Sequence, residues 1–233
     1  MTIQLVRRRT FWVPTLAGWL GLFVLIGTLV SLWWFQGESF LAKTLRQPAE
    51  VLVVEGWIGI EGVKAAKTEF DQGGYEYIVA TSGLSGNVWD LRRWTLASEA
   101  EELLLRAGLP KDRVILAIPR ETDEHRTYES ALASRQALAA RGIHPRAINV
   151  FTLGVHARRS RLVYAKVFSA ETPTGVIAWT PTHSTDERWW RSSSRAGDFL
   201  KETVGYLLEL LFDSGRGFTS KPEPTSNEAK GKA

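Results

Sequence analysis

Six consecutive residues, His156-Ala157-Arg158-Arg159-Ser160-Arg161, combine one histidine with three arginines. The apolar spacing around them predicts a helix over Ala157–Phe168, so the cations fall on its first turn. The N-terminus of a helix is already the positive end of the peptide dipole, and cations there are unfavourable unless an anion offsets them. A bound anion would meet exposed backbone N–H groups as well as the side chains. On that reading Arg158 and Arg159 hold the anion, and His156 donates a hydrogen bond or a proton. The alternative is that Arg158 and Arg161 are solvated and a single arginine points inward.

Acidic and hydroxyl side chains supply the complementary chemistry. Glu55 directly follows an apolar run and is expected to face a cleft. In Arg126-Thr127-Tyr128-Glu129-Ser130, Thr127 reads as a helix N-cap and Glu129 suits a first turn. Glu129 could equally orient a cleft arginine or histidine, or act as a general base. Ser98-Glu99 is ambiguous in the same way. Ser82 and Gly83 follow a second apolar run. Arg159 is expected to pair with Glu129 or Glu99, because an unpartnered, partly buried guanidinium is costly.

These residues lie far apart in sequence, so strands and helices must bring them together. Apolar runs at 50–54, 77–80, 113–118, 147–153 and 175–179 read as five strands. Helical spacing at 62–72, 96–107, 127–141, 157–168 and 191–212 alternates with them. That alternation predicts an α/β fold: a Rossmann-like, doubly wound, mainly parallel five-stranded sheet with helices on both faces. Ligands of such sheets bind beyond the carboxyl ends of the strands. Glu55, Ser82-Gly83, the 120–126 loop, His156 and the Thr180–His183 segment all follow strands, so they are expected on one edge.

The ends of the chain differ from this middle. Residues 11–35 contain no charge and are long enough to cross a hydrocarbon core of about 30 Å. Trp12 and Trp33-Trp34 stand at its two ends, like interfacial belts. Arg7-Arg8-Arg9 predict that residues 1–10 stay cytoplasmic and that the rest faces outward, which in a bacterial inner membrane means the periplasm. A cleaved signal peptide is the alternative, but bulky residues occupy the place where a small-residue cleavage site would lie. Residues 36–47 read as a linker, 48–213 as the globular domain, and 214–233 as a disordered Gly/Pro/Ser/Lys-rich tail.

Composition narrows the function classes. The chain has 233 residues, 44% of them hydrophobic, and no cysteine. A disulfide scaffold, cysteine-ligated zinc or iron–sulfur and a cysteine nucleophile are therefore excluded. The formal charge is +4, and three of those charges are Arg7–Arg9, which argues against a nucleic-acid surface. The four histidines, at 125, 144, 156 and 183, lack metal-ligand spacing, so no metal is expected. GxSxG, GxxxxGK[ST] and GxGxxG are all missing, and no cofactor is expected.

The ordered motifs resemble those of the YdcF/SanA/ElyC family of bacterial envelope-associated domains. The likeness covers residues 50–212. Its pieces are VLVVEGW, a second strand ending in TSG, Ser98-Glu99-Ala100 leading to GLPKDRVIL, Thr127-Tyr128-Glu129-Ser130, INVFTLGVHARR, and the closing DERWWRSSSRAGDFLKETVGYLLELL. Ser130 stands where the family has asparagine, and the glycine cluster after the second strand is reduced to Ser82-Gly83. The resemblance implies a Rossmann-like domain. For anchored members it implies a role in peptidoglycan, lipid-carrier or surface-polysaccharide biogenesis. The expected partners are the lipid bilayer through residues 11–35, an anionic small-molecule or lipid-linked ligand, and envelope-biogenesis proteins. Two alternatives stay open: a non-catalytic scaffold or binding module, and a nucleotide- or S-adenosylmethionine-binding enzyme.

Overall fold

The computed structural model describes residues 14–83, 95–122, 124–181 and 188–212. Arg7–Arg9, Trp12, His183 and the 214–233 tail, all singled out above, lie outside the described residues. The chain divides into two units, one ending at Gly37 and one beginning at Glu38.

The first unit holds most of α1 (Leu16–Leu41), a helix of 26 residues. Its most apolar window has a mean hydropathy of 2.0 and buries nothing. At about 1.5 Å per residue this one N-terminal helix is long and apolar enough to cross a membrane. Among the described residues the helix starts at Leu16 and continues past Phe35. The first half of the expected 36–47 linker is therefore helical. Leu41, its last residue, is fully buried in the second unit, so tertiary packing extends the helix beyond its apolar run.

The second unit is the α/β domain. It comprises β1 (Val51–Glu55), α2 (Gly59–Gly73), β2 (Tyr77–Thr81), α3 (Leu96–Arg106), β3 (Val114–Ala117), α4 (Arg126–Ala140), β4 (Ile148–Leu153), α5 (Ala157–Phe168), β5 (Thr174–Trp179) and α6 (Ser193–Leu211). The five strands are all parallel, in the order β3-β2-β1-β4-β5. Buried on both faces, they read as continuous apolar runs. Side chains alternate between the faces. Val51, Val53, Val79 and Val150 pack with Ala131 and Leu138 of α4 and Tyr164 and Phe168 of α5. Leu52, Val54, Ile78 and Phe151 pack with Val63, Ala66 and Phe70 of α2 and Leu104 of α3.

Chain order reverses between β1 and β4: the chain winds from β1 out to β3, then returns to β4 on the other side. A crevice at the strand ends follows from that reversal. The turn at Gly56 shapes one wall. A Cβ there would stand 2.4 Å from the carbonyl oxygen of Leu96, so glycine lets α3 close against the end of β1. This glycine serves helix packing.

Candidate functional site at the β1–β4 crossing

The alternation that builds the core also builds the site. Residues at odd positions of β1 face α4 and α5, and Glu55 continues that series. Thr81 and Thr152 do the same for β2 and β4. The apolar series of three neighbouring strands thus ends in polar tips on one face, with Glu55 in register with Thr81. All three side chains are buried, and Glu55 is 2% exposed.

Glu55 is held by hydroxyls. Thr152 Oγ1 donates to its Oε2 at 2.5 Å, and Ser160 Oγ, on the first turn of α5, lies 3.2 Å from the same oxygen. His156 sits on a short 3₁₀ turn over Gly154–His156, between β4 and α5. Its Nε2 is 3.6 Å from Glu55 Oε2, too far for a hydrogen bond. The Trp57 ring meets the imidazole edge-on at 5.0 Å between centroids.

The other imidazole nitrogen is committed. Nδ1 lies 2.9 Å from Glu202 Oε1 and 3.0 Å from Arg159 Nη2. Of these two neighbours only the carboxylate can accept from Nδ1–H, because a guanidinium donates and does not accept. Arg159 grips the same carboxylate with both arms of its fork, Nε to Oε2 at 2.7 Å and Nη2 to Oε1 at 3.0 Å. Its Nη1 donates to Thr127 Oγ1 at 3.3 Å, tying α5 to the first turn of α4. A Cβ on Gly205 would come 3.1 Å from Arg159 Cδ and Nε, so glycine lets the arginine lie across α6.

Electrostatics follow from this packing. Burial pushes the Glu202 carboxyl up, but His156 and Arg159 outweigh it and hold its pKa at about 2. Burial works against the Arg159 charge, yet the Glu202 bonds more than offset it and raise its pKa. The result is a buried carboxylate–arginine pair that orients an imidazole, beside a second carboxylate held by hydroxyls. The unit can bind an oxyanion through Arg159 and move a proton through Nε2.

Glu55, His156, Arg159 and Thr127 come together, although Thr127 is not the N-cap. His125 holds the cap position in a left-handed conformation without a side-chain cap bond, and the Thr127 hydroxyl is turned to Arg159 instead. The expected pairing of Arg159 with Glu129 or Glu99 is corrected: its partner is Glu202. Glu129 is buried but accepts from Arg120 Nη2 at 3.2 Å, and Glu99 is exposed on α3. Ser130 is buried on α4, where its carbonyl accepts from Thr81 Oγ1 at 3.4 Å. Ser82 is buried at the end of β2, and the Gly83 carbonyl accepts from the Leu96 amide at 3.1 Å.

The three arginines separate because each residue turns the helix by about 100°. Arg158 leaves the crevice: its Nε donates to the Phe40 carbonyl at 2.6 Å, and its guanidinium lies 3.7 Å from the centroid of the Phe40 ring. Arg161 donates to the Thr174 carbonyl at 2.8 Å. One arginine points inward to Glu202, and Arg158 is turned to Phe40.

Glu202, Thr152, Ser160 and Trp57 were not foreseen. Glu202 and Glu209 lie seven residues apart, on one face of α6 together with Phe199, and all three are buried. That spacing, in a helix where Leu200, Leu207, Leu208 and Leu211 fall on the opposite side, was the available signal. Thr152 could have been found as the polar terminus of the alternating series in β4. No protein-family model, curated protein or solved structure matches this chain.

Proposed function

We propose that the chain is a membrane-anchored domain, facing outward from the bacterial inner membrane, that binds a phosphate-bearing anion at the β1–β4 crossing in a step of envelope biogenesis. The observation that carries the reading is the Arg159 fork beside the His156 imidazole at the reversal of strand order. Two of the five guanidinium N–H groups go to Glu202 and one to Thr127. The remaining donors suit a phosphate oxygen. Glu202 keeps the arginine aligned before the ligand arrives, so little ordering is left for the binding step. His156 supplies a proton or takes one, with Glu55 as the nearest further carboxylate. The likeness to envelope-associated domains in the ordered motifs supports the setting, and the apolar α1 supports the anchor.

The test is titration of the full chain in nanodiscs with a polyprenyl phosphate. Arg159→Lys keeps the charge and loses the fork, and should weaken binding tenfold or more, about 1.4 kcal/mol. Arg161→Ala should change affinity less than twofold. A silent Arg159→Lys, or a more damaging Arg161→Ala, would remove the anion site. Release of inorganic phosphate, lost in His156→Ala, separates an enzyme from a binding module. A cytoplasm-only reporter fused after Ala233 should stay dark if the domain faces outward.

A further inference from the structure

α6 carries its apolar residues on the side away from its own domain. Its inner face buries Phe199, Glu202 and Glu209. Its outer face shows Leu200, Val204, Leu207, Leu208 and Leu211, each at least 50% exposed. At about 100° per residue these five fall within an arc of about 100°. No Asp, Glu, Lys or Arg of α6 lies within that arc. Exposed Lys201 borders it, and Phe212, 68% exposed, prolongs its apolar end. Contiguous exposed apolar surface of this kind marks a contact with something apolar.

The position of α6 in the chain selects the occupant. Glu38 and Phe40, at the start of the second unit, both touch α6: Glu38 forms an ion pair with Arg195, and the Phe40 ring meets Tyr206 edge-on at 5.8 Å. Phe35 ends the uncharged run, only five residues before Phe40. Even a fully extended chain spans no more than about 18 Å over that distance. α6 is therefore tied at two points, through a short tether, to the boundary of whatever hydrocarbon layer α1 crosses. Tethering makes contact with that layer intramolecular, so a modest interfacial affinity suffices. Association with a second copy would bear its own translational cost.

We infer that α6 lies in the interface of the bilayer that α1 spans, with Leu200, Val204, Leu207, Leu208 and Leu211 among the lipid headgroups and upper acyl chains and Lys201 reaching back to the headgroups. The buried face of the same helix supplies Glu202 to Arg159. The membrane surface is thereby coupled to the β1–β4 crevice through a single helix. The inference rests on α1 as a membrane span and is independent of the ligand proposed for the crevice.

The chain has no cysteine, so single cysteines label cleanly. Leu207→Cys, Leu211→Cys and, as a control, exposed Lys111→Cys are labelled with bimane in the full chain. Each is reconstituted in phosphatidylethanolamine–phosphatidylglycerol nanodiscs. Nitroxide lipids should quench the Leu207 and Leu211 labels at least twofold, while aqueous iodide spares them. The Lys111 label should behave in the opposite way. Iodide quenching equal to that at Lys111 would overturn the inference. So would shielding from both quenchers, which would mean that protein, a second copy or the chain itself, covers the stripe. Flotation with carbonate-washed membranes is measured for the same variants in vesicles of the same lipids. A chain that floats with unquenched labels refutes the docking alone, whereas one that fails to float refutes the anchor and the docking together.

Discussion

Both edges of the sheet carry polar contacts, but of different kinds. At the amino edge, Arg46 and Glu69 form a bidentate pair whose arginine side chain is 55% exposed. Arg146 pairs with Glu50, and Arg113 donates to the backbone carbonyls of Tyr75 and Glu76. Asn149 spans the edge, donating to Gln47 O and to Tyr75 OH, both at 2.9 Å. These contacts pin loops to strands, and water screens their charges. At the carboxyl edge the Arg159–Glu202 pair is 20% and 5% exposed, and His156 and Glu55 are buried beside it. Such charges cost desolvation, and replacing them by apolar residues would often stabilise a fold. Density of polar groups therefore does not distinguish a site from a brace. Buried, mutually orienting charge at a strand-order reversal does.

The largest break in this comparison should come from Glu202→Ala. It strands a buried guanidinium and imidazole and should cost roughly 3–5 kcal/mol of unfolding free energy, read by denaturant titration. A loss under about 1 kcal/mol would mean that the pair is screened like those at the other edge.

Acid should find the same weak point. The Glu202 carboxyl has a folded pKa of about 2 against an ordinary 4.5. A depressed acid contributes stability that is fully present above 4.5 and is lost as pH falls toward 2. The contribution is roughly 3 kcal/mol by linkage. Glu202→Gln should flatten the acid limb in that window, and parallel curves for the two proteins would contradict the assignment.

Alkali should instead find the amino edge. Burial raises the Tyr75 phenol from 10.0 to about 12. The stability from keeping it neutral is complete below pH 10 and is lost as pH rises toward 12. Tyr75→Phe should remove that limb and cost about 1–2 kcal/mol, because Asn149 loses an acceptor. An unchanged alkaline limb would reassign it.

The smallest effect should be Arg46→Ala. At its level of exposure the pair with Glu69 should be worth no more than about 1 kcal/mol, falling with added salt. A larger loss would show that this edge is not a solvent-screened brace.

Local signals carried much of the fold. Strand and helix positions follow from apolar runs broken by Gly and Pro. α5 begins and ends where its spacing places it, because small or apolar residues recur at helical spacing from Ala157 to Phe168. Where packing overrode local preference, the reading slipped. α1 runs on to Leu41 because the domain buries that residue. Thr127 looks like a cap, yet its hydroxyl serves Arg159. The strand-end rule brought Glu55 and His156 together, since it depends only on parallel connectivity. It was silent on which carboxylate Arg159 would meet.

Alternation of strands and helices, together with the uncharged run before them, was enough by itself to determine a parallel α/β sheet preceded by an apolar helix, because both depend on periodicity within short windows. Which of three adjacent arginines points inward depended on the phase of α5 against β4, a matter of docking. That Glu202 faces inward while Leu200, Val204 and Leu207 face outward was decided only when α6 settled on α5 with Gly205 against Arg159. An amphipathic pattern defines two faces of a helix, and only its neighbours decide which face is inside.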